Sequence, residues 1–157
     1  MADGDIAGRM GRFWEDFSVG EVLVTGRRTI DGGDVSRYAG LSGDFNPLHI
    51  DAEFAKTTPF GERVAHGILT LAVSHGQQNL GGWFAGTTLA LLGLDRLKFT
   101  APVRFGDTVW TEMTVTEARP SSKPDRGVVV FDVAVRNQRD ETVCSYQETV
   151  LMRRKRG

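Results

Sequence analysis

Ala65-His-Gly-Ile-Leu-Thr-Leu-Ala-Val-Ser-His-Gly-Gln-Gln-Asn-Leu80 is the longest helical stretch in this chain, and its reading decides the fold. Ile68, Leu69, Leu71, Ala72 and Val73 put apolar side chains on nearly every side of the helical wheel. A helix that is apolar all round is a buried one. At 1.5 Å per residue it would span about 24 Å. Gly81-Gly82 then supplies the left-handed backbone freedom that ends a helix.

Downstream the period changes from helical to two. Leu89 to Thr100 reads as a strand, clearest where Leu97 and Phe99 alternate with Arg96 and Lys98. Val109, Met113 and Val115 alternate with Trp110, Glu112 and Thr114, and Phe131, Val133 and Val135 with Asp132 and Arg136. Thr142 to Met152 is a final strand. Turn signals at Pro102–Asp107, Pro120–Arg126 and Asn137–Asp140 separate them, which is the spacing of an antiparallel meander. Upstream, Glu21 to Ile30 predicts a first strand. Asp34 is the expected N-cap of a short helix through Val35, Tyr38 and Leu41, and Asp51 that of another over Ala52–Lys56. One long buried helix followed by an antiparallel meander gives an α+β domain. The apolar helix needs a cover, so a single hot-dog fold is expected, an antiparallel β-sheet wrapped around a long central helix. The domain is placed at residues 13–152, after a Gly-rich, flexible N-terminal segment (1–12) and before a basic C-terminal tail (153–157).

Composition removes whole classes of function. The chain has 157 residues, a length for one domain. It carries 19 Lys plus Arg against 20 Asp plus Glu, a net charge of −1, which gives no footprint for nucleic acid or a membrane surface. One cysteine, Cys144, excludes an intramolecular disulfide framework and a Cys-rich zinc site. No stretch approaches the roughly 20 apolar residues of a membrane helix. Asp3, Asp5, Arg9 and Arg12 interrupt the first dozen residues, so no secretion signal is read there and a cytoplasmic location is expected. There is neither a Gly-rich dinucleotide fingerprint nor a Walker motif, and no cofactor is expected.

Chemistry concentrates in Tyr38-Ala-Gly-Leu-Ser-Gly-Asp-Phe-Asn-Pro-Leu-His-Ile-Asp51. Asp44 and His49 stand five positions apart, and Gly43 and Pro47 oppose a regular helix between them. A loop there can turn both side chains toward one point. A carboxylate with an ordinary pKa near 3.9 and an imidazole near 6.5 can share and activate a water. Asn46 either holds the loop or the His49 ring through its amide, or is a plain turn residue. Gly67, at the start of the long helix, offers a backbone N–H without an internal partner and the positive end of the helix dipole. His66 and His75 lie nine residues apart, about 180° around a helix, so they do not face one site together. Cys144 reads as buried packing.

The string Leu41-Ser-Gly-Asp-Phe-Asn-Pro-Leu-His49, preceded by Tyr38, closely resembles the signature of the MaoC-like dehydratases, also called (R)-specific enoyl-CoA hydratases or hydratase 2. Val64-Ala-His-Gly-Ile-Leu69, Leu97-Lys-Phe-Thr-Ala-Pro-Val-Arg-Phe-Gly-Asp-Thr108 and Phe13-Trp-Glu-Asp-Phe-Ser-Val-Gly20 extend the resemblance over most of the chain. It implies reversible syn addition of water to a trans-2-enoyl-CoA thioester, giving an (R)-3-hydroxyacyl-CoA, within fatty acid metabolism. It implies that Asp44 and His49 hold the water, that Gly67 is the oxyanion donor, and that two subunits pair edge to edge. Branched or dicarboxylic acyl groups and acyl carrier protein thioesters stay open as substrates. A thioesterase, a non-catalytic acyl-thioester binding subunit, and a metal site built from His49, Asp51 and His66 are the competing readings. The intact Asp44 and His49 argue against the first two, and the absence of a helical His-x-x-x-His pair argues against the third.

Overall fold

The computed structural model describes residues 11–155. Its elements run as a short 3-10 turn (Trp14–Asp16), β1 (Val22–Val24), β2 (Arg28–Thr29), α1 (Gly32–Ser42), α2 (Pro47–Ile50), α3 (Ala52–Lys56), α4 (Gly67–Leu80), β3 (Thr88–Phe99), β4 (Thr108–Pro120), β5 (Arg126–Asn137) and β6 (Thr142–Arg153). All strand pairs are antiparallel, in the order β1-β4-β5-β6-β3, with β2 also pairing with β4. This sheet packs around α4, as the hot-dog expectation requires. Among the described residues no helix is long and apolar enough to cross a membrane.

The period-two pattern places the core correctly. Val109, Met113 and Val115 of β4 and Phe131, Val133 and Val135 of β5 are all buried. Each such side chain contributes about 1.5–3 kcal/mol on leaving water. Phe17, Phe84 and Phe131 close one end of the core, with Phe131 edge-on to both of the others. Cys144 is buried, and burial raises its pKa to about 11, so the thiol is inert.

Three local expectations are corrected. The first strand is broken in two, because at Thr25 and Gly26 the chain turns to α4 as well as to the sheet. Gln77 Nε2 donates to the carbonyls of both Gly26 and Val109, at 3.0 and 2.9 Å. The N-cap of α1 is Asp31, whose carboxylate accepts from the Asp34 N–H at 3.0 Å, while the Asp34 carboxylate accepts from the Asp31 N–H. This is a reciprocal capping box with Asp in the role more often filled by Glu. Finally, α4 is not buried all round. Its inward stripe holds Leu69 and Val73 but also Thr70, Ser74, Gln77 and Gln78, while Ile68 and Leu80 are exposed. The concave sheet face offers hydrogen-bonding groups to this helix. Thr111 Oγ1 donates to Ser74 Oγ at 2.8 Å, and Gln78 Nε2 donates to the Tyr146 hydroxyl at 2.8 Å.

The terminal segments are partly held. Gly11 and Arg12 donate backbone hydrogen bonds to Ala85 and Trp83, and the Arg154 N–H donates to the Asp125 carbonyl. Arg154 also pairs with Glu15, and Lys155 with Asp16. The rest of the expected flexible segment, residues 1–10, and the last two residues of the basic tail lie outside the described residues.

Candidate active site

The loop that leads to the site is built by two caps in succession. Gly43 ends α1 in the left-handed conformation, at φ 78°, which turns the chain out of the helix. The Asp44 carboxylate then accepts from the Asn46 N–H at 3.2 Å, and Asn46 Oδ1 accepts from the Leu48 N–H at 3.0 Å. Asn46 is thus the N-cap of α2, with Pro47 at the first helical position, where its missing N–H costs nothing. His49 belongs to this one-turn helix rather than to an irregular loop. The Asn46 amide oxygen serves the loop and not the His49 ring.

His49 and Asp44 do converge, and His66 joins them. One donor atom each from Asp44, His49 and His66 lies within 4.8 Å of the others. The His49 and His66 rings pack with centroids 3.8 Å apart and planes tilted by 30°, and the Tyr38 ring centroid lies 4.8 Å from that of His66. His49 Nδ1 donates to the Val64 carbonyl at 2.7 Å. A carbonyl can only accept, so the neutral ring keeps its proton on Nδ1 and leaves Nε2 with a free lone pair. His66 Nε2 donates to the Asp44 carbonyl at 3.0 Å, and its Nδ1 is buried without a partner among the described residues. The Asp44 carboxylate stays half-exposed, 3.9 Å from the His66 ring. The site therefore holds a reachable carboxylate, an imidazole with a free nitrogen, and a buried second imidazole behind them.

His66 comes from a later stretch of the chain than Asp44 and His49, just before α4. It is the N-cap position of α4 but makes no side-chain cap there; its ring points at Asp44 instead. His75 lies on another face of α4, as the nine-residue spacing predicts. Asp51 caps α3 through the N–H groups of Glu53 and Phe54, so the metal reading that used it loses that ligand to a helix cap.

Gly67 opens α4 directly after His66. A cavity of about 350 Å³ runs past it, with His49, Val64, Phe60, Thr70 and Phe99 in its walls. A Cβ on Gly67 would stand 3.0 Å from the Phe99 ring, so only glycine leaves this passage open without moving Phe99. The wall is fixed from behind by the turn between β3 and β4. The Ala65 N–H donates to the Val103 carbonyl, and Val64 bridges to Arg104.

The sequence matches the family model described as MaoC like domain over residues 16–137. An (R)-specific enoyl-CoA hydratase of Rhodospirillum rubrum is 39% identical over 122 residues, covering 71% of this chain and 74% of the relative. A 3-hydroxybutyryl-CoA dehydratase of Methylorubrum extorquens is 36% identical over 114 residues, covering 73% of this chain and 70% of the relative. The crystal structure of the MaoC-like dehydratase from Rhodospirillum rubrum superposes with a TM-score of 0.82 at 28% identity, covering 94% of this chain and all of that one.

Proposed function

The chain belongs to the family of MaoC-like domains, and from that premise we propose that it is a hydro-lyase adding water to trans-2-enoyl-CoA to give (R)-3-hydroxyacyl-CoA. The observation that carries this reading is the convergence of Asp44 and His49 beside the N-terminus of α4. Water sits between the Asp44 carboxylate and Nε2 of His49. Nε2 takes one proton, and the remaining hydroxide forms the bond to C3. The C2–C3 π electrons move toward the thioester, whose oxygen gains negative charge against the Gly67 N–H. The enolate then collapses and C2 takes back the proton from His49. Both additions come from the Asp44–His49 side of the double bond, which makes the addition syn. The reverse sequence dehydrates the hydroxyacyl thioester.

The relatives' names support the reaction class, since one is called an enoyl-CoA hydratase and another a hydroxybutyryl-CoA dehydratase. We further propose that two copies pair along the free edge of β3. The test is direct. The purified protein is expected to consume crotonyl-CoA, seen as loss of the enoyl-thioester absorbance, and to yield the (R) product by chiral analysis. Asp44→Asn and His49→Ala are each expected to lower turnover by about 10²–10⁴-fold, the usual worth of positioned acid–base groups. Asp44→Asn keeps an oxygen for the Asn46 N–H, so its loop should hold. An (S) product, or near-normal turnover by either folded variant, would overturn the assignment.

A further inference from the structure

A second cavity, of about 290 Å³, is walled by Ala52, Lys56, Gly61, Glu62, Arg63 and Phe105. It adjoins the catalytic cavity through residues 60–64. Phe60 and Val64 line the cavity beside Gly67, and the residues between them line this one. The Cα atoms of Arg63 and Val64 are about 3.8 Å apart, across a single peptide bond. Val64 also anchors the His49 ring through its carbonyl. Arg63 is therefore one position from the residue that holds the catalytic imidazole.

The wall of this cavity carries an unbalanced positive charge. Lys56 pairs with Glu53 at 2.6 Å, and Arg104 pairs with Glu62, so the carboxylate in the wall is neutralised. Among the described residues Arg63 has no carboxylate partner. Its guanidinium carbon instead lies 4.7 Å from the centroid of the Phe105 ring. Phe105 is fixed in turn, packed against the core and against the start of α1, with ring atoms 3.7 Å from the Cβ position of Gly32. A cation–π contact orients a guanidinium without using the N–H donors in its plane. Arg63 is thus held in place with its charge and its fork of donors available, the geometry that matches two phosphate oxygens at once.

We propose that this cavity is a phosphate subsite for the group that carries the acyl thioester, and that Arg63 is the residue that selects for that phosphate. The inference rests on the hydratase reading given above. A coenzyme A thioester and an acyl carrier protein thioester both end the same pantetheine arm in a phosphate. A thioester bound beside Gly67 has to lead this arm out of the catalytic cavity, and an exit across residues 60–64 brings the phosphate to Arg63. Lys56 can add a second cation, because its pair with Glu53 is a solvent-exposed one and worth little.

The experiment compares kcat/KM for the crotonyl thioesters of pantetheine, phosphopantetheine and coenzyme A. The native protein is expected to prefer a phosphorylated thioester over the pantetheine thioester by about ten- to a hundredfold, the usual worth of hydrogen bonds to a charged group. A preference already complete with phosphopantetheine assigns to Arg63 the phosphate that a carrier protein shares with coenzyme A. One that appears only with coenzyme A assigns to it a phosphate of the nucleotide. Arg63→Gln is expected to remove the preference by raising KM for the phosphorylated thioesters, and Arg63→Lys to keep part of it. The readout is a ratio within each variant, so partial loss of folded protein does not alter it. Calorimetric binding of free coenzyme A against pantetheine needs no turnover. A protein that hydrates none of the thioesters but binds coenzyme A through Arg63 would refute the hydratase reading and uphold the subsite. Equal kcat/KM for all the thioesters in the native protein, a phosphate preference that survives Arg63→Gln, or a coenzyme A affinity that Arg63→Gln does not change would each overturn the proposal.

Discussion

His66 shows what a single side chain can do when buried behind a site. Its Nε2–H donates to the carbonyl of Asp44, and its ring packs against that of His49 with the planes 30° apart, so one residue orients both groups proposed to hold the water. The two roles separate by substitution. His66→Gln keeps a donor near the position of Nε2, whereas His66→Phe keeps a flat ring and removes the donor. We expect His66→Phe to lower kcat with little change in KM, because the Asp44 carbonyl loses its partner and the loop relaxes, and His66→Gln to recover part of that loss. A merely structural role would lower the fraction of active protein equally in both and leave their KM-against-kcat split the same. Asp44 and His49 were legible in the sequence because one capped loop carries both. Gly67 was legible because a helix N-terminus is. His66 was not: it comes from a later element, and no local pattern records that two rings from α2 and the start of α4 will pack together.

At the scale of elements, the strands were the readable part and the helix face was not. Alternation along β4 and β5 reports directly which side chains enter the core. The wheel of α4 reports only where apolar residues lie, and here the buried stripe is partly polar, held by Thr111, Tyr146 and two backbone carbonyls. The break between β1 and β2 has the same origin, since the Gly26 carbonyl is one of those acceptors. The turn between β3 and β4 supports the site wall, and Asp107 holds it. Arg139 donates to both of its oxygens, at 2.6 and 2.8 Å, and Gln138 Nε2 and the Arg104 N–H add two more bonds. Burial by itself would push the Asp107 pKa up, but these donors overcome it and hold the carboxyl at about 2, against an ordinary 3.8. The folded value lies below the unfolded one, so the stabilisation is complete above pH 3.8 and is lost as pH falls from there toward 2. It amounts to about 2 kcal/mol at neutral pH. Denaturant titrations between pH 5 and pH 2 should show stability falling in that window, and Asp107→Asn should start lower and fall less steeply, by about the same amount. Equal slopes for the two proteins would mean that Asp107 does not anchor this turn.

For the whole molecule, the sheet has two unequal edges. One is shared by β1 and β2, three and two residues long. The other is β3, twelve residues long, paired only with β6 and carrying Leu89, Leu91, Leu92 and Phe99 at 37–54% exposure. A long apolar edge with unpaired backbone groups is a template for another strand. The exposed stripe of α4, with Ile68, lies beside the same edge across the cavity that Leu91 and Leu94 help to wall. An identical chain laid antiparallel along β3 satisfies both surfaces with one two-fold contact, because such an interface is self-complementary. It would also cover His75, which is 47% exposed in a single chain. Leu92 is the most exposed apolar residue of that edge and lies outside the walls of the cavity beside Gly67. Light scattering of the native protein should therefore give twice the chain mass or a multiple of it. Leu92→Glu, which sets a carboxylate against its two-fold mate in an apolar contact, should shift the protein toward monomer and lower turnover of crotonyl-CoA. A native monomer with full activity would contradict the pairing and any need of the site for a second copy.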